Sequence, residues 1–362
     1  MKQISELSTR LNQHFDWNKA KMDCFASMLI GLLKIRSVNL AEIATAFPSN
    51  AQPESRYRRI QRFIHGTPID YDGVALFVMS LFLFTHSDYY LTLDRTNWQW
   101  GKENINILVL AIVYQGQAIP IYWLLLDKKG NSNCRERIAL MKRFIKHFGK
   151  SHIRGILADR EFIGTAWFSW LHAEAIPFHI RIRKNAKVPN SHGDLVQAQL
   201  LFRFIKAGEK LVIDQARRLS DVPVYLSALR LEDGELLIVA SSVNTIDGIE
   251  TYALRWQIET LFGCLKERGF NLEDTRITDR RRIKRLLVVV VIAFCWAHRT
   301  GEWRHEQVKP IRVKKHQRLA KSIFKYGLDW IRERLLDTTL SLESFCHEFL
   351  QFIDFESLYP TV

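Results

Sequence analysis

An α/β fold with a β-rich insertion and helical flanks is what this sequence predicts, on three observations. Between Tyr89 and Arg183 the chain reads as three strands, a helix, a strand, a helix and a strand. From 186 to 248 the pattern changes to short strand-like runs punctuated by turns. Before residue 85 and beyond residue 300 helical spacing dominates.

The elements follow in order. Leu29, Ile30, Leu32 and Leu33 mark an early apolar helix, and Leu40 to Phe47 a short one that Pro48 and Pro53 end. Tyr89 to Asp94 alternates like a strand. Ile105–Tyr114 and Ala118–Leu126 are apolar runs joined by Gln115-Gly116-Gln117, a hairpin signature. Cys134 to Phe148 has helical spacing, with Gly149 as its C-cap. Ile153 to Ala158 is a strand ending at Asp159, Thr165 to Ala175 a helix, and Pro177 to Arg183 a strand. That is the order of a ribonuclease H-like α/β core. Asp94 and Asp159 both fall at expected strand ends, where active-site groups are commonly presented. In the insertion, Leu200–Ile205, Lys210–Ile213, Val222–Leu231 and Glu235–Val243 read as strands. Five regions result: a helical region at 1–85, the first part of the core at 86–185, the insertion at 186–248, the last core helices at 249–300, and a basic helical region at 301–362.

Charge narrows the partners. Fifty-two Lys and Arg against 38 Asp and Glu leave a formal net charge of +14, which suits a polyanion, with nucleic acid the default. Arg56, Arg58, Arg59 and Arg62, interleaved with Tyr57, Ile60 and Phe63, suit phosphate contact or groove entry; a solvated basic face is the plainer alternative. Lys314, Lys315 and Arg318 form a second basic stretch. The five cysteines are scattered without a C-x-x-C pair, which fits reduced thiols. No signal-like segment opens the sequence, and the most apolar run, Leu286 to Ala297, is shorter than the roughly 20 residues of a membrane span. These features fit a cytoplasmic, nucleoid-associated protein. No Gly-rich phosphate loop and no H-E-x-x-H spacing occur.

The most informative stretch runs from Tyr252 to Lys266. Read as one helix, Tyr252, Arg255, Glu259 and Lys266 share a polar stripe about 60° wide. Leu254, Ile258, Leu261, Phe262 and Leu265 form a separate apolar flank. One carboxylate aligned with a phenol, a guanidinium and an ammonium suits a metal-bound phosphate. An ordinary ion-paired face, with Arg255 and Glu259 at i,i+4, is the alternative. Asp94, Asp159 and Glu259 are then candidates for a shared site, because hard divalent cations take carboxylate oxygens and leave positions for water and phosphate. Asp at a strand end also serves as a turn former, and Glu161, past the strand end, reads as facing outward.

Three blocks carry a family resemblance: Thr92-Leu93-Asp94-Arg95-Thr96-Asn97-Trp98, Gly155-Ile156-Leu157-Ala158-Asp159-Arg160-Glu161-Phe162, and the Y-x2-R-x3-E-x6-K spacing of Tyr252, Arg255, Glu259 and Lys266. With these the chain resembles bacterial DDE transposases, in the branch named after insertion sequence four. The resemblance extends over most of the chain, including the segment near Arg58 and Lys315-His316-Gln317-Arg318. It implies that Asp94, Asp159 and Glu259 are catalytic and bind two Mg²⁺ ions, for which Mn²⁺ can stand in. It implies cut-and-paste transposition: nicking at the element's inverted repeats, then attack of the freed 3′-hydroxyl on target DNA. A homodimer on double-stranded DNA is expected, since two ends must be held together, and no membrane is involved. Some members pass through a DNA hairpin; there Tyr252, Arg255 and Lys266 would hold phosphates beside a flipped nucleotide. The insertion contains no tryptophan, so a stacking platform has to come from Phe202, Phe204 or Tyr225, or from Trp98 or Trp256 beside the site. Two other classes fit the same residues: a catalytically silent DNA-binding protein or repressor, and a nuclease of this fold that does not join DNA.

Overall fold

The computed structural model describes residues 2–352 apart from 316, 338 and 340. Residues 353–362 of the basic C-terminal region, and His316 within it, thus lie outside the described residues. In chain order the elements are α1 (Lys2–Leu11), α2 (Lys19–Ile35), α3 (Leu40–Thr45), α4 (Pro53–Gly66), α5 (Tyr71–Leu81), β1 (Tyr89–Trp100), β2 (Glu103–Tyr114), β3 (Gln117–Leu125), α6 (Cys134–Phe148), β4 (Ile153–Ala158), α7 (Thr165–Ala173) and β5 (Phe178–Ile182). There follow β6 (Lys187–Pro189), β7 (Leu195–Gln197), α8 (Ala198–Leu201), β8 (Lys210–Leu219), β9 (Val222–Arg230), β10 (Leu236–Ser241), α9 (Gly248–Ala253), α10 (Trp256–Leu265), α11 (Arg280–Trp303), α12 (Ile323–Leu336) and α13 (Leu342–Phe349).

Among the described residues, one eight-stranded sheet has the order β3-β2-β1-β4-β5-β10-β9-β8. Its first five strands have the ribonuclease H-like arrangement: β2 and β3 are antiparallel, while β1, β4 and β5 run parallel. Helices α6 and α7 cross over between the parallel strands. Helix α6 starts where Asn133 and Glu136 form a reciprocal capping box. The insertion is β-rich as expected, and its three longer strands continue the core sheet. Strand β10 pairs antiparallel with β5, then β9 with β10 and β8 with β9.

Three strand assignments differ from the sequence reading, one of them Lys210–Ile213, since β8 runs on to Leu219. Strand β1 does not stop at Asp94 but runs to Trp100, so Asp94 sits inside a strand. Thr96 and Trp98 are buried between the exposed Asn97 and Gln99, so the period of two persists through polar residues that look like a turn. Leu200–Ile205 is not a strand: α8 ends at Leu201 and a turn follows. There Phe202 is buried and Phe204 is 80% exposed, an alternation that mimics a strand.

The chain divides into two compact units. One comprises 84–97 and 106–261; the other comprises 1–83, 98–105 and 262–362. In the second unit, the apolar run Leu286–Ala297 is buried throughout as the middle of α11. Helices α11 and α12 approach at Gly301 and Gly327, where a Cβ would meet the Ile323 carbonyl oxygen at 2.1 Å and the Ala297 carbonyl oxygen at 1.9 Å. Any larger residue there would force the helices apart. Among the described residues, no helix is long and apolar enough to cross a membrane.

Candidate active site

Strands β1 and β4 pair in parallel with Leu93 opposite Ala158, so the next residues, Asp94 and Asp159, stand level on adjacent strands. Neighbouring strands lie about 4.8 Å apart, and level residues face the same side of a sheet. Asp94 Oδ1 accepts from its neighbour, Arg95 N–H, at 2.7 Å. Asp159 Oδ1 accepts from Glu161 N–H at 2.7 Å, closing the turn that ends β4.

The third carboxylate arrives differently from the sequence reading. Tyr252 to Lys266 is not one continuous helix. Helix α9 ends at Ala253, α10 begins at Trp256, and Arg255 lies in the break. The hydrogen bonds across it span three residues: Leu254 to Thr251, Arg255 to Tyr252, Gln257 to Leu254 and Ile258 to Arg255. The tighter winding rotates the residues after the break relative to Tyr252. Tyr252 is consequently 2% exposed, in a core with Val239 and Ile249. Its ring lies 5.8 Å from the Arg255 guanidinium carbon. Burial pushes its phenol up from the ordinary tyrosine range.

Arg255 is 6% exposed and bridges two carboxylates. Its Nη1 donates to Asp94 Oδ2 at 2.9 Å, and its Nη2 donates to Glu259 Oε1. Its Nε has no hydrogen-bond partner among the described residues. Asp94 is pushed up to about 7, chiefly by burial; Arg255 and the Arg95 amide oppose this, while Asp159 and Glu161 add like-charge repulsion.

Glu161 does not face outward. It receives both arms of the Arg95 guanidinium, at 2.7 and 2.8 Å, with its side chain 16% exposed. Arg95 also donates to Asn106 Oδ1 and Asn131 Oδ1, and Arg137 donates to the Glu161 carbonyl. This network ties the strand bearing Asp94 to the turn bearing Asp159. Sequence reading missed it because its members come from β1, β2, the loop after β3, α6 and the turn after β4. The adjacency of Arg95 to Asp94 and of Glu161 to Asp159 was the available signal.

The donor chemistry fits a hard divalent cation at the aspartate pair: two level carboxylates, one desolvated and still repelled by its neighbours. Among the described residues, no three acidic, His or Cys side chains converge closely enough to hold an ion together. Arg255 accounts for that at Glu259, whose carboxylate is drawn onto the guanidinium.

The remaining candidates separate by exposure. Trp256 is 60% exposed, against the burial usual for its type, and the Arg255 guanidinium lies 5.4 Å from its ring. Trp98 is 7% exposed and Phe202 fully buried. In the second unit, Lys266 Nζ lies 2.6 Å from Glu273 and 5.9 Å from the Trp98 ring. Arg56 spends Nη1 on the Thr45 and Phe47 carbonyls, and Arg59 its Nη2 on the Ala20 carbonyl. Arg58 and Arg62 are exposed and line a cleft with Gln61, His65 and Arg282. Lys314, Lys315 and Arg318 are exposed on a turn closed by the Val313–Leu319 bridge.

A family model described as a transposase DDE domain matches residues 85–296, a span that contains Asp94, Asp159, Glu259 and the whole insertion. No curated protein matches the chain. Among solved structures, a cryo-EM structure of a piggyBac transposase synaptic complex with hairpin DNA is similar with a TM-score of 0.44 at 14% identity, covering 97% of this chain and 82% of that one.

Proposed function

The chain belongs to the transposase DDE domain family, and from that premise we propose that it is a metal-dependent DNA transposase of the bacterial insertion-sequence-four branch. It nicks at the inverted repeats of its element and joins the freed 3′-hydroxyl to target DNA. The observation that carries this is the level pair Asp94 and Asp159 on adjacent parallel strands, with Glu259 tethered to the same site through Arg255.

Asp94 and Asp159 hold Mg²⁺, with Glu259 as the third ligand. When bound, a pair of such ions activates the attacking oxygen and stabilises the leaving one. Arg255 exchanges Glu259 for a DNA phosphate, because a guanidinium binds either oxyanion in the same fork geometry. Tyr252 works through Arg255, fixing it from the core. Lys266 supplies a further cation toward the backbone. If the DNA passes through a hairpin, Trp256 and Phe204 are the exposed rings suited to stack on a displaced base. The active assembly is a homodimer holding two element ends.

The test incubates the full chain with Mg²⁺ and a labelled duplex taken from the DNA flanking the gene. Wild type should nick and then transfer the nicked strand, whereas Glu259→Gln should retain the gel shift and lose nicking. A wild type that binds but never nicks, in Mg²⁺ or Mn²⁺, would overturn the enzymatic reading in favour of a silent DNA-binding protein. Nicking without strand transfer would reduce it to a nuclease.

A further inference from the structure

A cleft of about 540 Å³ opens within the first unit, beside the aspartate pair. Its cations come from four places: Arg160 after β4; Arg181, Arg183 and Lys184 on and after β5; Arg203 after α8; and Arg230 at the end of β9. The lining holds one carboxylate, Glu235, and Arg181 pairs with it. Arg230 donates to the Ile205 and Gly234 carbonyls, which orients its guanidinium, and among the described residues no carboxylate pairs with it. Arg203 lies 4.5 Å from the Phe204 ring. Arg160, Arg183 and Lys184 are exposed, and among the described residues none has a carboxylate partner.

So many like charges around one concavity repel one another, and only Arg181, on Glu235, and Arg230, on two backbone carbonyls, are held by polar contacts of the fold. An anion within the cleft removes that repulsion, and a polyanion does so at several points at once.

Strand register locates the cleft. Strands β4 and β5 are parallel with Ala158 opposite Ile180, so Asp159 stands level with Arg181. Arg181, which lines the cleft, therefore lies one strand over from a candidate catalytic aspartate. The cleft extends from there across the β9–β10 turn. The volume suits a short run of backbone rather than a whole duplex.

We propose that this cleft binds the sugar-phosphate backbone of the DNA strand next to the scissile phosphate, with Arg160, Arg183, Lys184 and Arg203 contacting successive phosphates. The insertion strands β8–β10 thus supply one wall of a DNA track that starts at the carboxylates. The proposal rests on reading Asp94 and Asp159 as the reaction centre. It adds a second DNA contact surface to the arginines of α4.

The test uses the full-length double variant Arg183→Ala/Lys184→Ala, whose exposed side chains the fold does not use. Binding of the flanking-DNA duplex is measured by anisotropy without divalent metal across a range of salt. Losing two phosphate contacts should flatten the slope of log affinity against log salt by roughly 1.8, at about 0.9 per contact. Arg183→Lys/Lys184→Arg should restore it. An unchanged slope with unchanged melting temperature would overturn the proposal. Methylphosphonates placed singly along the strand then read position: those that weaken wild type but not the double variant should flank the nick. Sensitive positions far from the nick would overturn the placement. If wild type neither binds with salt dependence nor nicks, the functional reading itself fails. If wild type does both and the variant matches it, only the cleft assignment fails.

Discussion

Arg255 donates to two carboxylates with one guanidinium while almost wholly buried. Arg255→Ala should destabilise the metal-free protein by about 1–3 kcal/mol, since it leaves the Asp94 and Glu259 oxygens without their shared donor. Mg²⁺ should then raise the melting temperature of the variant more than that of wild type, because a cation replaces the lost partner; equal Mg²⁺ shifts would remove Arg255 from its stand-in role. Asp94 supports a pH prediction. In the folded, metal-free protein it keeps its proton up to about 7, well above the ordinary 3.8. A raised folded pKa stabilises below the unfolded value, and that stability is lost as pH rises through the folded value. Asp94→Asn cannot ionise, so in chelator it should raise the melting temperature more at about pH 8 than at about pH 5. The residue types at this site were legible in the sequence. The inward turn of Glu161 was not, because Arg95 lies 66 positions away in the chain and only the β1–β4 pairing brings them together.

At the scale of elements, the break between α9 and α10 decides what each residue of the stripe can reach. A period of 3.6 describes the apolar flank well enough that the sequence reads as one helix. The structure winds three residues per turn across Leu254–Trp256, sending Tyr252 into the core and Trp256 into solvent. Tertiary packing chooses that winding, since Tyr252 fills a site among β9, β10 and α9. Helix α10 is pinned at its start by Gln257, whose Oε1 accepts from Tyr114 N–H at 2.9 Å. Gln257→Leu removes that acceptor and should cost about 1–3 kcal/mol in a urea melt. It should also speed amide exchange in the first turn of α10. Slowed or unchanged exchange would show that the helix is held elsewhere.

For the molecule as a whole, net charge sets the expectation first. A chain at +14 that contacts several phosphates should lose roughly 10³-fold or more in DNA affinity between about 50 and 200 mM salt. A shallow response would mean that few phosphates are contacted. Helices from both ends of the chain share one unit, and the insertion strands widen the core sheet instead of forming a body of their own. By itself the sequence determined the strand and helix order of the core and its basic balance, and it offered Asp94, Asp159 and Glu259 as candidates with cationic neighbours. Those properties rest on local periodicity and residue chemistry, which neighbouring positions in the chain reveal. Only the tertiary structure decided that Arg255 holds Glu259 and Asp94 together, that Glu161 turns inward, and that β10 docks on β5 to form a cationic cleft beside Asp159. Each depends on register between segments far apart in sequence, and register is chosen by burial and pairing across the whole sheet.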